Sequence, residues 1–488
     1  MAKNDDDRRC WNELRRLRLP ADLRNREERS EFLEQLYRLV ENWTGELPNL
    51  RNIYGEAEID RILLWDYEDN EYFRRRTPFI RFAIMSGYRD KPRLRLNGAP
   101  LLSRCTALHL LAARDTAYCS SWALFAIYDR WDVNYRDQTG FTHFHAACKL
   151  GFHGAVRQFI KRGRVDPNEP VLCTGDGPLH LAIRHERSLV FRELLLSGAN
   201  PNLADARGET PLHLACRKPD DGAWARLVLG LSNRALNVNA EDGEGRTPLH
   251  WAVTNLLPDV IKKMLDRGLR LPGPFAFPEE PHFYPRFAES RGGGDRFAAR
   301  LAAATLGVVE IFASRGFTRI PALTFLNVFN SHGLLERSAR ALSTWHGHEE
   351  EEFASAASEL RIDSSFSLYD LIRMRPAEAA RARVAWQDYY EFACSSQLWQ
   401  LPERHWEACS LRICEIIARR LCQRLAMWRF CRITLYGLPL DVARAILDSM
   451  TARDLYDFCM AARTQILRSR LRAAVANIGP SNQSKVEG

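Results

Sequence analysis

Thr210-Pro211-Leu212-His213 and Thr247-Pro248-Leu249-His250 are two copies of one four-residue phrase. Three looser copies precede them: Thr106-Ala107-Leu108-His109, Thr142-His143-Phe144-His145 and Gly177-Pro178-Leu179-His180. The five histidines are separated by 36, 35, 33 and 37 residues in turn. Self-similarity at a period of this size marks a stack of small units, none of which can bury its apolar face alone. Within a unit, Thr can cap a helix, and Pro suits the first helical position, where its missing N–H is not needed. The Leu-His-Leu-Ala run then starts a short helix. A second helix follows, as in Phe191-Arg192-Glu193-Leu194-Leu195-Leu196 or at 155–160, and is ended by glycine at Gly163, Gly198 and Gly268. Polar turns at 132–137, 200–205 and 237–242 lead into the next unit.

Phrase and period together resemble the ankyrin repeat. The resemblance implies an all-α solenoid with β-turn or hairpin loops over residues 76–270, binding a target protein through its variable turns. The expected contact residues are Tyr135, Arg136, Gln138, Phe141, Leu203, Arg207, Glu209, Glu241 and Arg246. In that family the recurrent His is a structural hydrogen-bonding residue at the start of the first helix. Histidines one repeat apart are too spread for one tetrahedral metal. The array extends outward on both sides: 78–87 has the same layout with Arg81 in place of His, and 302–316 reads as a degenerate helix pair. Between the two ends, five prolines within 272–285 and the triplet Gly292-Gly293-Gly294 mark 271–295 as a linker or loop. Residues 1–75 read as amphipathic helices that either cap the open end of the stack or form a separate partner-binding module.

The repeat signature is gone from 366–472, which follows a helical region at 296–365 and precedes a flexible tail at 473–488. Residues 403–432 are densely apolar, with one polar stripe through Arg412, Glu415 and Arg419. Glu415 and Arg419 have the i, i+4 spacing of a helix-surface pair, which predicts a mostly buried helix with one wet face. Next comes Leu435-Tyr436-Gly437-Leu438-Pro439-Leu440-Asp441-Val442, then Ile446-Leu447, Met450 and Asp454-Leu455. Leu438, Val442, Ile446, Leu447 and Met450 share a helix face, and Thr451 with Asp454 has capping-box spacing before a second helix carrying Leu455, Phe458, Cys459, Ala462 and Ile466. The order of landmarks resembles the F-box. Its position after ankyrin repeats is similar to the PRANC family of poxviruses, Wolbachia and parasitoid wasps. Asp441 stands where many F-boxes have Glu, and no Cys-Arg-x-Trp-like ending follows Leu455. The resemblance implies a non-enzymatic adaptor that recruits the Skp-type subunit of a cullin–RING ubiquitin ligase. Leu438, Pro439, Val442, Ile446, Leu447, Asp454 and Leu455 would make the contact, with Leu447 its hot spot. Two alternatives stay open: a scaffold or inhibitor that sequesters a signalling protein, and a plain helical hairpin that closes the domain.

At 488 residues the chain is too long for one core, and 46 % hydrophobic with 27 % charged residues excludes wholesale disorder. Only eight of 69 basic residues are Lys, and the formal charge is +8. Residues 404–472 hold thirteen Arg against six acidic residues, leaving the remaining 419 residues at +1. That concentration argues against a nucleic-acid surface and suits an acidic protein partner. The twelve Cys follow no paired framework, and Cys409, Cys414, Cys422 and Cys431 lie at apolar helix positions without Cys-x-x-Cys spacing. His346-Gly347-His348 before Glu349 reads as a solvated acidic helix start. No phosphate loop or nucleophile elbow is present, so no catalytic residue, metal or cofactor is expected. The polar start of the chain and its short apolar runs predict neither a secretory signal nor a membrane span. An intracellular location follows, cytoplasmic or nuclear, a host cell's interior included.

Overall fold

The computed structural model describes residues 10–17, 19, 25–43, 46–73, 77–113, 121–232, 236–270, 297–316, 322–344, 350–382, 384–434 and 439–462. The 271–295 segment, the His346-Gly347-His348 tract, Leu438, Ile466 and the 473–488 tail lie outside the described residues. The described residues are mostly helical. They contain no named strand, only isolated bridges such as Ser103 with Arg136. Two compact units divide the chain: Met1–Ala215 with Trp224–Thr247, and Cys216–Ala223 with Pro248–Gly488.

The first unit opens on the helix Arg26–Glu41. The Asn25 side chain caps it by accepting from the N–H groups of Glu27 and Glu28. Phe32, Leu33, Leu36 and Val40 fall on one face at helical spacing and are buried. This helix packs on Pro78–Met85, and Glu56–Phe73 packs on both Pro78–Met85 and Ala107–Ala113. Antiparallel pairs then repeat, His143–Leu150 with His153–Lys161 and Pro178–Arg184 with Ser188–Leu196. First helices pack on first helices and second on second, so each unit supplies the apolar wall its neighbour lacks. Gly198 ends its helix in the left-handed region, φ 89°. Gly163 serves differently: a Cβ there would lie 2.0 Å from the Trp131 carbonyl oxygen, so glycine permits a close backbone approach.

In the second unit the pair Pro248–Thr254 and Pro258–Asp266 leads to Phe297–Ser314, which packs on Pro258–Asp266. The expected helix pair at 302–316 is thus one unbroken 18-residue helix. Gly307 sits within it. A Cβ there would meet the Trp386 ring at 2.6 Å and Pro258 at 2.8 Å, so the glycine admits two neighbours rather than a turn. Phe297–Ser314 also packs on the 28-residue helix Trp406–Ile433, which the helices Leu334–Thr344, Pro376–Arg381 and Leu440–Ser449 surround.

Enclosure overturns the expected wet face of that central helix. Glu415 is 0 % exposed and Arg419 3 %. Their separation is 3.9 Å, and each is committed to the elbow between Leu440–Ser449 and the helix at 452–462. One Glu415 carboxylate oxygen accepts from the Ala452 N–H at 2.8 Å, the other from the Ser338 hydroxyl at 3.0 Å. Arg419 donates to the Asp448 carbonyl at 3.3 Å. The negative group therefore meets a helix start and the positive group a helix end, the favourable sense of both dipoles. Burial raises the Glu415 carboxyl above its usual range, against the pull of the Ala452 N–H and Arg419. Removing one member of such a pair leaves the other charged and buried. Glu415→Ala is expected to cost about 3–5 kcal/mol in urea unfolding. Glu415→Leu with Arg419→Met should recover most of that loss, because no charge is then stranded.

Candidate functional site

The repeated histidines form the joints of the first unit. The backbone N–H groups of Thr106, Thr142, Gly177 and Thr210 each donate to Nδ1 of the His three residues on, at 3.1 Å in all four. An imidazole accepting at Nδ1 carries its proton on Nε2. Nε2 of His109, His145, His180 and His213 then donates to the carbonyls of Tyr135, Glu169, Glu209 and Arg246, at 3.2, 2.8, 2.9 and 3.0 Å. Each ring closes its own helix start and fastens the following loop. Burial holds all four below the usual imidazole range, His145 down to about 4. His143, in the Pro position of its phrase, is buried too and meets the Thr106 hydroxyl at 2.7 Å.

The loops so fastened share one construction. Asp137, Asp205 and Asp242 each accept on Oδ1 from the N–H groups two and four residues ahead. Gly140, Gly208 and Gly245 take the positive φ that closes the turn. Adjacent loops also pair: the Gly243 N–H donates to the Arg207 carbonyl at 2.8 Å, and the Ala206 N–H to that of Thr174 at 3.2 Å. The result is a row of rigid tips, and loops held on a rigid scaffold are where binding residues concentrate.

Of the expected target contacts, Gln138, Leu203, Arg207 and Glu241 are exposed on or beside these tips. Phe141 is half-buried between the His109 and His145 rings, at centroid distances of 6.5 and 5.6 Å. Arg136 is paired with Glu169, and Arg246 with Asp242 and Glu244. Tyr135 and Glu209 depart from the expectation. Tyr135 is 2 % exposed, its hydroxyl bonded to Asp90, and Glu209 is buried. Both occupy turn positions by sequence, yet each lies at a loop base where the joint from the preceding repeat arrives.

Tyr135 belongs to a buried polar cluster that sequence reading passed over. Arg104 bonds Asp60 and Asp90 at 2.7 Å each, and Tyr128 donates to Asp60. The partners come from the Glu56–Phe73 helix and from segments up to 75 residues apart, so no spacing signals them.

In the second unit the F-box-like residues separate by burial. Val442 and Ile446 are exposed, at 42 % and 41 %, and the neighbouring Leu440 reaches 61 %. Leu447 and Leu455 are buried, which corrects the reading of both as adaptor contacts. Pro439 precedes the helix as its N-cap residue, and Asp454 accepts from the Thr451 hydroxyl and N–H at 2.7 and 2.9 Å as a capping box. Trp428, half-exposed on the central helix, carries no sequence signal that sets it apart from its buried neighbours. Cys409, Cys414 and Cys422 are fully buried, which raises their thiols far above the reactive range. Among the described residues no group of three or more His, Cys, Asp or Glu is placed to hold a metal ion. No helix of the described residues is long and apolar enough to cross a membrane.

The ankyrin-repeat family model, three copies long, matches residues 108–205 and again 179–271. The human neurogenic locus notch homolog protein 4 is 49 % identical over 53 residues, 11 % of this chain and 3 % of that protein. The mouse neurogenic locus notch homolog protein 1 is 34 % identical over 155 residues, 28 % of this chain and 6 % of its own length. Mouse Rabankyrin-5 is 31 % identical over 108 residues, 20 % of this chain and 9 % of that protein. The matching stretches are thus small parts of much longer relatives. This stretch of the chain is built of ankyrin repeats, which carry a protein–protein interaction role.

The joints set a pH dependence. Each imidazole is held below its unfolded pKa of about 6.5, so the unfolded chain binds more protons between that value and the folded one. Stability from these groups is complete above pH ~6.5 and is lost as pH falls through each folded value, which for His145 is about 4. Thermal melts are expected to drop steadily across that window, and His145→Gln should flatten its share of the slope.

Proposed function

We propose that this chain is a non-enzymatic adaptor: its ankyrin repeats hold a target protein, and its C-terminal helices present that target to a cullin–RING ubiquitin ligase through a Skp-type subunit. The target would lie across the loop tips, at Gln138, Phe141, Leu203, Arg207 and Glu241, with Arg136 and Arg246 as charged neighbours. The helices at 1–75 cap the stack, and 366–472 acts as the PRANC-like module. Catalysis would belong to the ligase, and the adaptor would act by raising the local concentration of substrate.

The observation that carries the ligase half is the split within the helix Leu440–Ser449. Leu440, Val442 and Ile446 stand in solvent while Ala443 and Leu447 hold the helix down. An exposed aliphatic pair at i, i+4 spacing, Val442 and Ile446, on an anchored helix is the form a helix-docking contact takes. The Glu415–Arg419 lock beneath the elbow supplies the rigidity. The eleven described free cysteines suit a compartment that keeps thiols reduced.

The test is co-precipitation of a purified Skp-type adaptor with the full chain. Val442→Glu and Ile446→Glu are expected to cut adaptor recovery about tenfold or more at unchanged melting temperature. Leu447→Ala should instead lower stability by about 2–5 kcal/mol, as a core cavity does. Recovery that ignores both surface substitutions sinks the ligase reading and leaves a sequestering scaffold.

A further inference from the structure

We infer that the loop at 91–104 is a second recognition element of the first unit, one that captures an extended acidic segment with alternating apolar side chains as an added β-strand. The inference rests on the reading of that unit as a target-binding surface and names the chemistry of the target. The loop precedes residues 108–271, and its contact residues differ from those considered above.

Three independent observations meet there. The first is apolar exposure: Leu94 and Leu101 are 63 % and 41 % exposed, and Leu96 is fully in solvent. The other tips present Gln138, Thr139, Thr174, Arg207 and Glu244 with at most one exposed leucine each, Leu172 or Leu203, so this loop alone among the described ones gathers three aliphatic side chains. The second is an open backbone edge. The Leu101 N–H donates to the Arg93 carbonyl at 2.7 Å and the Arg95 N–H to the Ala99 carbonyl at 2.8 Å, a short antiparallel pair around Leu94 and Pro100. Because residues alternate along such a ladder, Leu94 turns its own N–H and carbonyl to the opposite side, where no described residue bonds them. The 101–104 limb is already occupied, through bonds from Arg136 to Leu102 and from Arg104 to Arg136. The open edge is centred on Leu94, with the Pro92 carbonyl, which has no N–H beside it, on one side and the turn at Leu96–Asn97 on the other.

The third observation selects the occupant. Residues 89–104 carry Arg89, Lys91, Arg93, Arg95 and Arg104 against Asp90 alone, and Asp90 is buried on Arg104 and Tyr135. Arg104 is likewise turned inward. Lys91, Arg93 and Arg95 are exposed along the open limb; Arg93 reaches Glu56 at 3.5 Å, and Lys91 and Arg95 have no ion pair among the described residues. Arg93 and Arg95 alternate with Leu94 and Leu96, so an added strand of alternating acidic and apolar residues would match charge to charge and leucine to leucine. A second copy of this chain would set like charges directly opposite, which disfavours self-pairing.

The experiment titrates the full chain with a fluorescent synthetic peptide that alternates Glu with Val and Leu, followed by anisotropy. A twin with Lys for every Glu is the charge control. The Glu peptide is expected to bind, and the Lys peptide at least about tenfold more weakly. Leu96→Asp, and Lys91→Glu with Arg95→Glu, should each weaken the Glu peptide by a similar factor with unchanged melting temperature, since these side chains are exposed and Lys91 and Arg95 have no ion pair among the described residues. Arg207→Glu with Glu241→Arg should leave it unchanged. Loss of binding in that second pair alone would overturn the inference while the repeats still stand as the binding surface. Failure of the Glu peptide to bind overturns it as well. So does a dimer in sedimentation that Leu96→Asp dissolves, because the edge would then serve a second copy.

Discussion

A neutral imidazole at each repeat joint is the interaction on which the first unit depends. It accepts at Nδ1 from the N–H that starts its own helix and donates at Nε2 to a carbonyl in the next loop. The same ring that satisfies a donor at one unit's helix start therefore places its neighbour's loop. This explains why the phrase tolerates Gly177 in place of Thr: the joint uses the backbone N–H, which glycine keeps. It also explains His143, which fills the proline position and returns a bond to Thr106 one repeat earlier. Every exposed tip residue inherits its position from these joints.

The second unit is organised by charges at helix ends rather than by a repeated phrase. Its central helix is surrounded, so its polar residues must find partners inside. Arg412 reaches the carbonyls of Ile372 and Met374 at 2.9 and 2.7 Å, closing the end of the helix Leu368–Arg373. Arg420 donates to the Val384 carbonyl at 2.8 Å and pairs with Glu310, while Arg419 and Glu415 hold the elbow at 448–452. Part of the local +7 balance is thus structural. Arginine's several donors allow one side chain to satisfy helix-end carbonyls and keep its charge, which a lysine could not match in geometry. The electrostatic invitation to an acidic partner through this segment is correspondingly smaller. The first unit's 91–104 loop holds the more accessible positive charge.

The repeat architecture was legible because it is local. A Thr-Pro-Leu-His phrase states its own cap, helix start and joint within four residues, and the recurrence of 33 to 37 residues states the stacking. The polar turns and the capping box at Thr451 and Asp454 were legible for the same reason, whereas the Asx closures that follow at Asp137, Asp205 and Asp242 were not read from the sequence. Tyr135 and Glu209 were misplaced because turn position in a chain predicts solvent only when nothing packs over the turn, and here the preceding repeat does. Glu415 and Arg419 were misread as a surface pair by a rule that holds for an isolated helix. The helix pair expected at 302–316 is one helix, and the contact of its Gly307 with Trp386 spans 79 residues of sequence.

What the sequence determined by itself, then, was everything that depends on neighbours within about one repeat: helix starts, polar turns, the identity of the stack and the role of its histidines. Tertiary structure alone decided which side of each element meets water. That choice separated Val442 and Ile446 from Leu447, turned Arg412, Arg419 and Arg420 inward, and left three leucines and an open backbone edge at 91–104. The physical reason is that hydrogen bonds of a turn are short in sequence, whereas burial depends on every element that arrives from elsewhere in the chain.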